Sequence, residues 1–354
     1  MRTRIVRRLL TPLLAATALA AAVLTPAGTA SADVPGTASL AAATTVGIHN
    51  TYDQAAYPYL ADALDAGASM VELDSWFNVF THKWNVSHGN PLGDDNNCVA
   101  ATTAAGLHGG DRDQDLGACL DDIRLWLGAH PGHPPVVIKL ELKAGFDATI
   151  GMGPAALDSY VAQHLGDIVF RPADLLAKAG GGAYPDLDTA ARAGNWPSRA
   201  ALAGKVILEV IPGTVEESNP FDHLWTDVEY AGHLRDLAAA GTLGSAQIFP
   251  SVLGAAAGDP RTRYADAGLR PWFVVFDGDA ATYLGGIDTS WYDTNHYLLV
   301  MTDAQNVAPA LDDTAPPVDQ ARARVAQLAA AHASVVSCDW RGLTTVLPEV
   351  LPRG

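Results

Sequence analysis

The chain has 354 residues, 49% of them hydrophobic, and a formal net charge of −17 at pH 7. This composition is typical of a folded globular protein and excludes a wholly disordered chain. A protein this acidic is repelled by nucleic acid and by anionic surfaces, so we expect no nucleic-acid partner.

The first 32 residues have the pattern of a secretory signal peptide. Four arginines precede an apolar run at 9–24, and the small residues 30–32 form a cleavage site. The run is short for a bilayer-spanning helix, which favours cleavage near Ala32 over anchoring. We therefore expect residues 33–354 to be exported. Without the four arginines the formal net charge becomes −21.

Apolar strands alternate with helices along the rest of the chain. The strand pattern covers residues 44–50, 69–76, 134–143, 204–212, 246–252, 271–278, 296–302 and 334–340. The helical pattern covers residues 59–67, 120–130, 155–166, 198–203, 233–241 and 318–333. Since the strands are continuous apolar runs, they suit a parallel sheet that is buried on both faces.

Eight strands of this kind, mostly separated by helices, predict an α/β fold, the (β/α)8 TIM barrel. No glycine-rich phosphate loop follows the first strand, which argues against a doubly wound dinucleotide-binding sheet. The helices after strands five to seven are poorly marked, so we expect the barrel to be irregular there. No shift in composition marks a boundary, and residues 33–354 are predicted to form a single domain.

The three cysteines predict one disulfide. Cys98 and Cys119 flank a loop rich in glycine and aspartate, and an exported protein can form disulfides, so we predict that these two pair. Closing such a loop stabilises a fold by roughly 3 kcal/mol in the chain-entropy model. Cys338 is then expected to be a buried free thiol.

Polar side chains lie at the ends of several predicted strands, where barrel enzymes carry their catalytic groups. They are His49, Asn50, Glu72, Asp74, Lys139, Glu141, Lys143 and Asp339. Residues two apart on a strand point to the same side, so Glu72 and Asp74 are expected to share the barrel interior. Neighbouring residues face opposite sides, so using both His49 and Asn50 requires the strand to twist or end at His49.

Two interpretations of the acidic cluster are open. In the first, Lys139 and Lys143 neutralise the acids within a salt-bridged polar layer. In the second, the cluster holds a hard metal ion through oxygen atoms. The predicted ligands are Asn50, Glu72, Asp74 and Glu141. A carboxylate-rich site of this kind on an exported protein suits calcium better than magnesium, and it does not suit zinc.

Two histidines accompany these carboxylates. His49 follows the first strand, and His88 lies in the segment after the second. In phosphodiester cleavage, one imidazole can take a proton from the attacking hydroxyl while the other protonates the leaving oxygen. A metal neutralises charge on the phosphoryl oxygens. The combination predicts a metal-dependent phosphodiesterase.

Four segments carry a family resemblance. The sequences GIHNTYDQ (47–54), AGASMVELDSW (66–76), VSHGN (86–90) and PPVVIKLELK (134–143) resemble the calcium-dependent phosphatidylinositol-specific phospholipases C. The resemblance implies a TIM-barrel enzyme that cleaves phosphatidylinositol to diacylglycerol and a cyclic inositol phosphate.

The resemblance also implies roles for individual residues. His49 would activate the inositol 2-hydroxyl, and His88 would be the general acid for the diacylglycerol oxygen. The four oxygen-donating side chains named above would bind calcium. Asp339 would orient His49, although a capped strand end explains Asp339 equally well. Lys139 and Lys143 would contact phosphate or balance the acids.

Three alternatives stay open. A sphingomyelinase-D-like enzyme shares the two histidines and the Glu-x-Asp pair, but would not need Asn50 at the metal. A glycerophosphodiester phosphodiesterase would carry His-Arg-Gly where this chain has His49, Asn50 and Thr51. An inactive barrel could keep calcium for stability alone.

The expected partners follow from the same interpretation. We expect a phospholipid or another phosphodiester as substrate, and we expect the protein to be a monomer. Peripheral membrane contact is also expected, with Trp84 and Trp272 as the candidate rim residues.

Overall fold

Eight parallel strands close into a barrel in the computed structural model, which describes residues 34–219 and 224–354. The strands are β1 (Ala43–Ile48), β2 (Met70–Asn78), β3 (Lys83–Val86), β4 (Val136–Leu142), β5 (Val206–Pro212), β6 (Ile248–Leu253), β7 (Val275–Asp279), β8 (Leu298–Thr302), β9 (Val335–Cys338) and β10 (Leu351–Pro352). All except β3 and β10 are parallel, and β1 pairs with both β2 and β9 to close the ring. The TIM barrel predicted from sequence is confirmed, while the predicted signal peptide lies outside the described residues.

Helices connect most of the barrel strands. They are α1 (Leu60–Asp65), α2 (Leu116–Ala129), α3 (Pro154–Leu165), α4 (Pro172–Leu176), α5 (Leu187–Arg192), α6 (Thr214–Ser218), α7 (Thr226–Ala240), α8 (Ala280–Leu284), α9 (Ser290–Thr294) and α10 (Val318–Ala330). Between β6 and β7 two short 3-10 helices replace an α-helix, so the barrel is irregular where the sequence marked its helices poorly. Within the described parts of the chain, no helix has the length and apolar character to cross a bilayer.

One predicted element is absent from the structure, and another begins later than predicted. The predicted helix at 198–203 is absent. Ser198 forms an isolated bridge with Ser39, residues 199–203 form turns, and Gly204, with φ of 72°, follows them. The strand predicted at 271–278 is present but begins only at Val275, because Pro271 and Trp272 belong to the 3-10 helix Ala267–Trp272 and residues 273–274 connect the two elements. A short apolar run does not distinguish a strand from a buried helical turn.

The chain forms a hairpin directly after the predicted strand at 69–76. β3 pairs with β2 in the antiparallel direction, with Ser75 opposite Val86 and Asn78 opposite Lys83. At the turn the Asn78 side chain accepts hydrogen bonds from the next backbone amides, which stabilises it. The hairpin extends β2 beyond the barrel and returns the chain to the barrel mouth after Val86.

The tryptophans expected at a membrane rim lie in the core. Trp84 is 2% exposed and Trp272 is 5% exposed. Both pack in the main hydrophobic cluster, so their assignment to a membrane-touching rim is wrong. A single tryptophan gives no signal in the sequence that separates a core position from a surface position.

The cysteine prediction is confirmed. Cys98 and Cys119 form a disulfide that ties the loop after β3 to helix α2. Cys338 is a free, buried thiol at the end of β9, and burial raises its pKa to about 12. The thiol is therefore un-ionised at neutral pH and is a poor nucleophile.

Candidate active site

β1 ends at Ile48, and the two residues after it face the barrel mouth. Asn50 adopts a left-handed backbone conformation, with φ of 50°, which asparagine tolerates better than most residues. Its main-chain N–H donates to Glu72 Oε2 at 3.3 Å, and His49 Nε2 lies 3.7 Å from the same oxygen. The strand thus ends before His49, which allows the side chains of His49 and Asn50 to face the same site.

Three predicted ligands meet inside the mouth of the barrel. β2 and β4 are neighbours, and their register sets Asp74 beside Glu141. One carboxylate oxygen from each of Glu72, Asp74 and Glu141 lies within 4.8 Å of the other two. Calcium binds oxygen ligands at about 2.3–2.6 Å, so ligands on opposite sides of the ion are roughly 5 Å apart. The spacing of the three carboxylates fits a calcium ion.

Tyr52 connects the fourth predicted ligand to this group. Its buried hydroxyl donates to Asp74 Oδ2 at 2.7 Å and lies 3.2 Å from Asn50 Oδ1. The other oxygen, Asp74 Oδ1, is buried without a hydrogen-bond partner in the described part of the chain. A buried acceptor without a partner costs free energy, which a bound cation would recover. The donor set is all oxygen, so the residues present fit calcium.

Lys143 lies between two of the acids. Its Nζ is 2.7 Å from Asp74 Oδ2 and 2.8 Å from Glu141 Oε1. Glu141 Oε1 also accepts from the main-chain N–H of Thr214 at 3.0 Å. The ammonium group therefore balances part of the negative charge of the cluster.

Lys139 lies deeper in the barrel. Its Nζ is 3.2 Å from Glu72 Oε1 and 2.8 Å from Asp277 Oδ2, a contact that crosses the interior from β4 to β7. Both lysines are thus engaged by carboxylates. A salt-bridged layer and a candidate metal site coexist because they share the same acids.

The charges of the cluster remain unbalanced. Burial and the neighbouring carboxylates of Glu141 and Glu72 raise the pKa of Asp74 to about 7, although Lys143 opposes the shift. For Glu72, burial acts in the same direction, but the cations of Lys139 and His49 outweigh it and lower its pKa. A site that holds one acid near its titration point favours the entry of a further positive charge.

His49 has a carboxylate beside each ring nitrogen. Its Nδ1 lies 3.2 Å from Asp339 Oδ1, which follows β9, and its Nε2 faces Glu72. Burial lowers the pKa of His49, but the carboxylates of Glu72 and Asp339 outweigh burial and raise it to about 9. In the absence of a bound cation these carboxylates favour the protonated form of His49, and the predicted contact with Asp339 is present. A cation bound at the neighbouring carboxylates would offset their charge and favour the neutral imidazole, the form that can accept a proton.

His88 lies at the rim of the same mouth. Just before it, the main-chain N–H of Ser87 donates to the carbonyl of Asp74 at 3.1 Å. The His88 side chain is exposed, and its main-chain N–H donates to Asp95 Oδ2 at 3.4 Å. The hairpin thus carries His88 to the edge of the acidic cluster, where it faces solvent.

Sequence reasoning missed three buried or half-buried residues of the site. Tyr52 lies within the segment 47–54, although no role was predicted for it. Asp303 and Gln305 directly follow β8, and both contact the network around Asp339. The rule that polar residues at strand ends mark a barrel site applies to β8 as well and could have found the last two.

Glu209 is a buried acid below the site. It lies opposite Lys139 on the neighbouring strand β5 and is 1% exposed. Burial and the negative charge of Asp277 raise the pKa of Glu209 to about 8, although Lys139 opposes them. The folded protein therefore binds this proton more tightly than the unfolded chain does.

This proton predicts a pH dependence of stability. An acid with a raised pKa in the folded state contributes most below its unfolded value of 4.5, and the contribution is lost as the pH rises towards about 8. In chelator, Glu209→Gln should therefore remove part of this loss. Denaturant unfolding at pH 5 and pH 8.5 gives the change in unfolding free energy between the two pH values. Because one unit of pKa corresponds to about 1.36 kcal/mol, this change should differ between wild type and Glu209→Gln by more than about 1 kcal/mol. Glu349→Gln, at a surface ion pair with Arg322, is the control. The same change in unfolding free energy between the two pH values for wild type and both variants would contradict the prediction.

Comparison with solved structures finds relatives that cover most of the chain. A Ca2+-dependent phosphatidylinositol-specific phospholipase C from Streptomyces antibioticus is 58% identical, with a TM-score of 0.86, over 89% of this chain and 99% of that one. A calcium-dependent phosphoinositol-specific phospholipase C from a Gram-negative Pseudomonas species is 21% identical, with a TM-score of 0.64, over 89% and 96% of the two chains. The second likeness supports the fold alone. No protein-family model and no curated protein matches the chain.

Proposed function

The chain belongs to the calcium-dependent phosphatidylinositol-specific phospholipase C family, and from this premise we propose that it cleaves phosphatidylinositol to diacylglycerol and a cyclic or linear inositol phosphate. The observation that carries the proposal is the position of His49. It lies between Glu72 and Asp339, beside three converging carboxylates at the barrel mouth. A base next to a cation site is the arrangement that phosphodiester cleavage requires.

His49 is the proposed general base. Asp339 holds Nδ1 at 3.2 Å, which leaves Nε2 on the side of Glu72 and the metal ligands. From there Nε2 takes the proton of an inositol hydroxyl as its oxygen attacks the phosphorus. The neighbouring carboxylates stabilise the imidazolium that forms, as in other His-carboxylate pairs.

His88 is the proposed general acid. It donates a proton to the diacylglycerol oxygen as the bond from phosphorus to that oxygen breaks. Its exposed position at the rim suits a leaving group that stays at a lipid surface. If the cyclic product is hydrolysed further, the two histidines exchange roles, with His88 activating water.

Asn50, Glu72, Asp74 and Glu141 are the proposed calcium ligands. Bound calcium would offset the negative charge that builds on the phosphoryl oxygens. Lys143 keeps Asp74 and Glu141 together, and Tyr52 keeps Asp74 close to Asn50. These contacts hold the ligand side chains in place, which lowers the entropic cost of binding the ion.

Hydrolysis of a panel of lipids tests the proposed substrate. Phosphatidylinositol, phosphatidylcholine and sphingomyelin are supplied with calcium, and ³¹P NMR identifies each product. We expect an inositol phosphate from phosphatidylinositol and no comparable turnover of the other two. Release of a ceramide phosphate from sphingomyelin would instead place the chain with the sphingomyelinase-D-like enzymes. No turnover of any lipid, with calcium still bound, would indicate an inactive barrel.

We further propose that the protein contacts membranes through apolar residues around the barrel mouth. Within 34–219 and 224–354, every exposed large hydrophobic side chain follows β2, β3 or β5. They are Val79, Phe80, Leu92, Val215, Leu224 and Trp225. Since parallel barrel strands end on one face, these loops lie on the side of the active site. An acidic protein without a basic patch can reach a lipid surface by inserting such side chains.

Phe80→Ser should weaken membrane binding. Phe80 is 89% exposed at the tip of the hairpin from β2 to β3, and burying a phenylalanine contributes about 1.5–3 kcal/mol. Vesicle sedimentation should therefore show roughly 10- to 100-fold weaker partitioning. Activity on a monomeric short-chain substrate should not change. Ala129→Ser, at the opposite end of the barrel, is the control, and unchanged partitioning of Phe80→Ser would contradict the membrane proposal.

Two further expectations remain proposals. We propose that the protein is exported with cleavage near Ala32, and the disulfide between Cys98 and Cys119 supports an oxidising destination. Mass spectrometry of the protein in culture medium would identify its N-terminus. We also propose that it acts as a monomer, which light scattering after size exclusion would measure.

A further inference from the structure

Gln305 lies behind the catalytic histidine. It belongs to the short 3-10 helix Ala304–Asn306 after β8 and is 3% exposed. Its Nε2 lies 3.1 Å from Asp339 Oδ2 and 3.3 Å from Asp303 Oδ1. An amide nitrogen carries two protons, so one group can donate to both carboxylates.

Asp339 is thereby held at both oxygens. His49 Nδ1 lies against Asp339 Oδ1, and the Gln305 amide donates to Oδ2. A carboxylate bound at one oxygen can rotate about its Cβ–Cγ bond, whereas one bound at both cannot. The imidazole of His49 is then fixed through a carboxylate that is itself fixed.

The amide also separates like charges. One ligand atom from each of His49, Asp303 and Asp339 lies within 4.8 Å of the others. Two carboxylates this close repel each other, and a neutral donor between them opposes that repulsion without adding a charge. Glutamate at the same position would add a third carboxyl group.

The segment that carries Gln305 is anchored from outside the site. Arg324 on α10 donates to the carbonyls of Ala304 and Pro309. The carbonyl of Gln305 accepts from Leu311 N–H at 2.9 Å. The amide therefore presents its donors from a backbone held on both sides of the residue.

We propose that Gln305 is a positioning residue for His49 that acts through Asp339, with Asp303 as the acceptor that orients the amide. This inference rests on the proposed function of His49 as general base. Gln305 does not touch the predicted metal ligands in the structure, so its loss should impair turnover rather than the binding of calcium or lipid.

Gln305→Met tests the proposal because methionine keeps the volume and removes both donors. We expect kcat for phosphatidylinositol to fall about 10- to 100-fold, the usual effect of losing a partner behind a functional group, with KM and calcium affinity near wild type. Gln247→Met is the matched control. Gln247 is also buried, donates to the carbonyl of Ser245 and lies before β6 at the opposite end of the barrel, so its kcat should not change.

A double-mutant cycle separates positioning from structural damage. In an Asp339→Asn background, Gln305→Met should add less than a twofold loss of kcat, since the residue through which it acts is already altered. Losses that multiply in the cycle, or full kcat in Gln305→Met alone, would overturn the proposal. A wild-type protein that fails to cleave phosphatidylinositol would instead overturn the proposed function, so the two failures are distinguishable.

Discussion

His49→Ala is expected to lower kcat for phosphatidylinositol by roughly 10²–10⁴-fold, the usual contribution of a positioned acid or base. The side chain has Asp339 and Glu72 beside its two nitrogens, so it is built to accept a proton in an oriented form. Initial rates at saturating calcium measure the effect. His133→Ala is the control, because that imidazole lies before β4 at the opposite end of the barrel, where it contacts the carbonyl of Pro134 and the ring of Trp126.

A substrate with a better leaving group separates the two histidines. With p-nitrophenol in place of diacylglycerol, protonation of the leaving oxygen matters less, so His88→Ala should recover much of its activity. His49→Ala should stay impaired, because the attacking hydroxyl still has to lose its proton. Retention of more than about a tenth of the wild-type kcat in His49→Ala would contradict its role as base.

Asp74→Asn is expected to weaken calcium binding strongly without destabilising the metal-free protein. Asp74 carries the buried oxygen without a partner in the described part of the chain and lies within 4.8 Å of the other two carboxylates of the cluster. Losing a direct ligand should weaken calcium binding by more than the roughly 10- to 100-fold cost of losing an outer partner. Isothermal titration with calcium measures the affinity.

The expected stability of metal-free Asp74→Asn follows from the pKa of Asp74 in the wild-type protein. Burial and the carboxylates of Glu141 and Glu72 raise that pKa to about 7, so above this pH the charged form costs the folded state free energy. In chelator at pH 8, Asp74→Asn should therefore unfold at a temperature no lower than wild type, whereas calcium should raise the unfolding temperature of wild type but not that of Asp74→Asn. Asp121→Asn, on the surface of α2, should respond to calcium as wild type does. Tight calcium binding by Asp74→Asn would remove it from the ligand set.

The sequence predicted the parts of the site that depend on local pattern. Period-two spacing put Glu72 and Asp74 on one side of a strand, and the order of the motifs brought Glu141 to the same mouth. The contact of Asp339 with His49 was implied by the family resemblance, and the pairing of the first and last strands of the closed barrel explains it. These inferences need only the strand register and closure of the sheet.

Other parts depend on contacts that no local pattern encodes. Lys139 reaches Asp277 across the barrel interior, and this contact depends on strands that are far apart in the sequence. Trp84 and Trp272 are equally apolar in the core or at a rim, so only the packed fold places them. The proposed role of Gln305 depends on its contact with Asp339, and a whole helix separates the two residues in the sequence. The roles of such residues can be recognised only from their side-chain contacts in the folded structure.

Hydrolysis of phosphatidylinositol with and without calcium is the most direct test of the central claim. The wild-type protein is assayed by ³¹P NMR at saturating calcium, after addition of a chelator, and after calcium is restored. The account predicts that an inositol phosphate forms with calcium, that its formation stops in chelator, and that it resumes when calcium returns. Turnover that continues at the same rate in chelator would contradict a calcium-dependent phosphodiesterase centre at the mouth of this barrel.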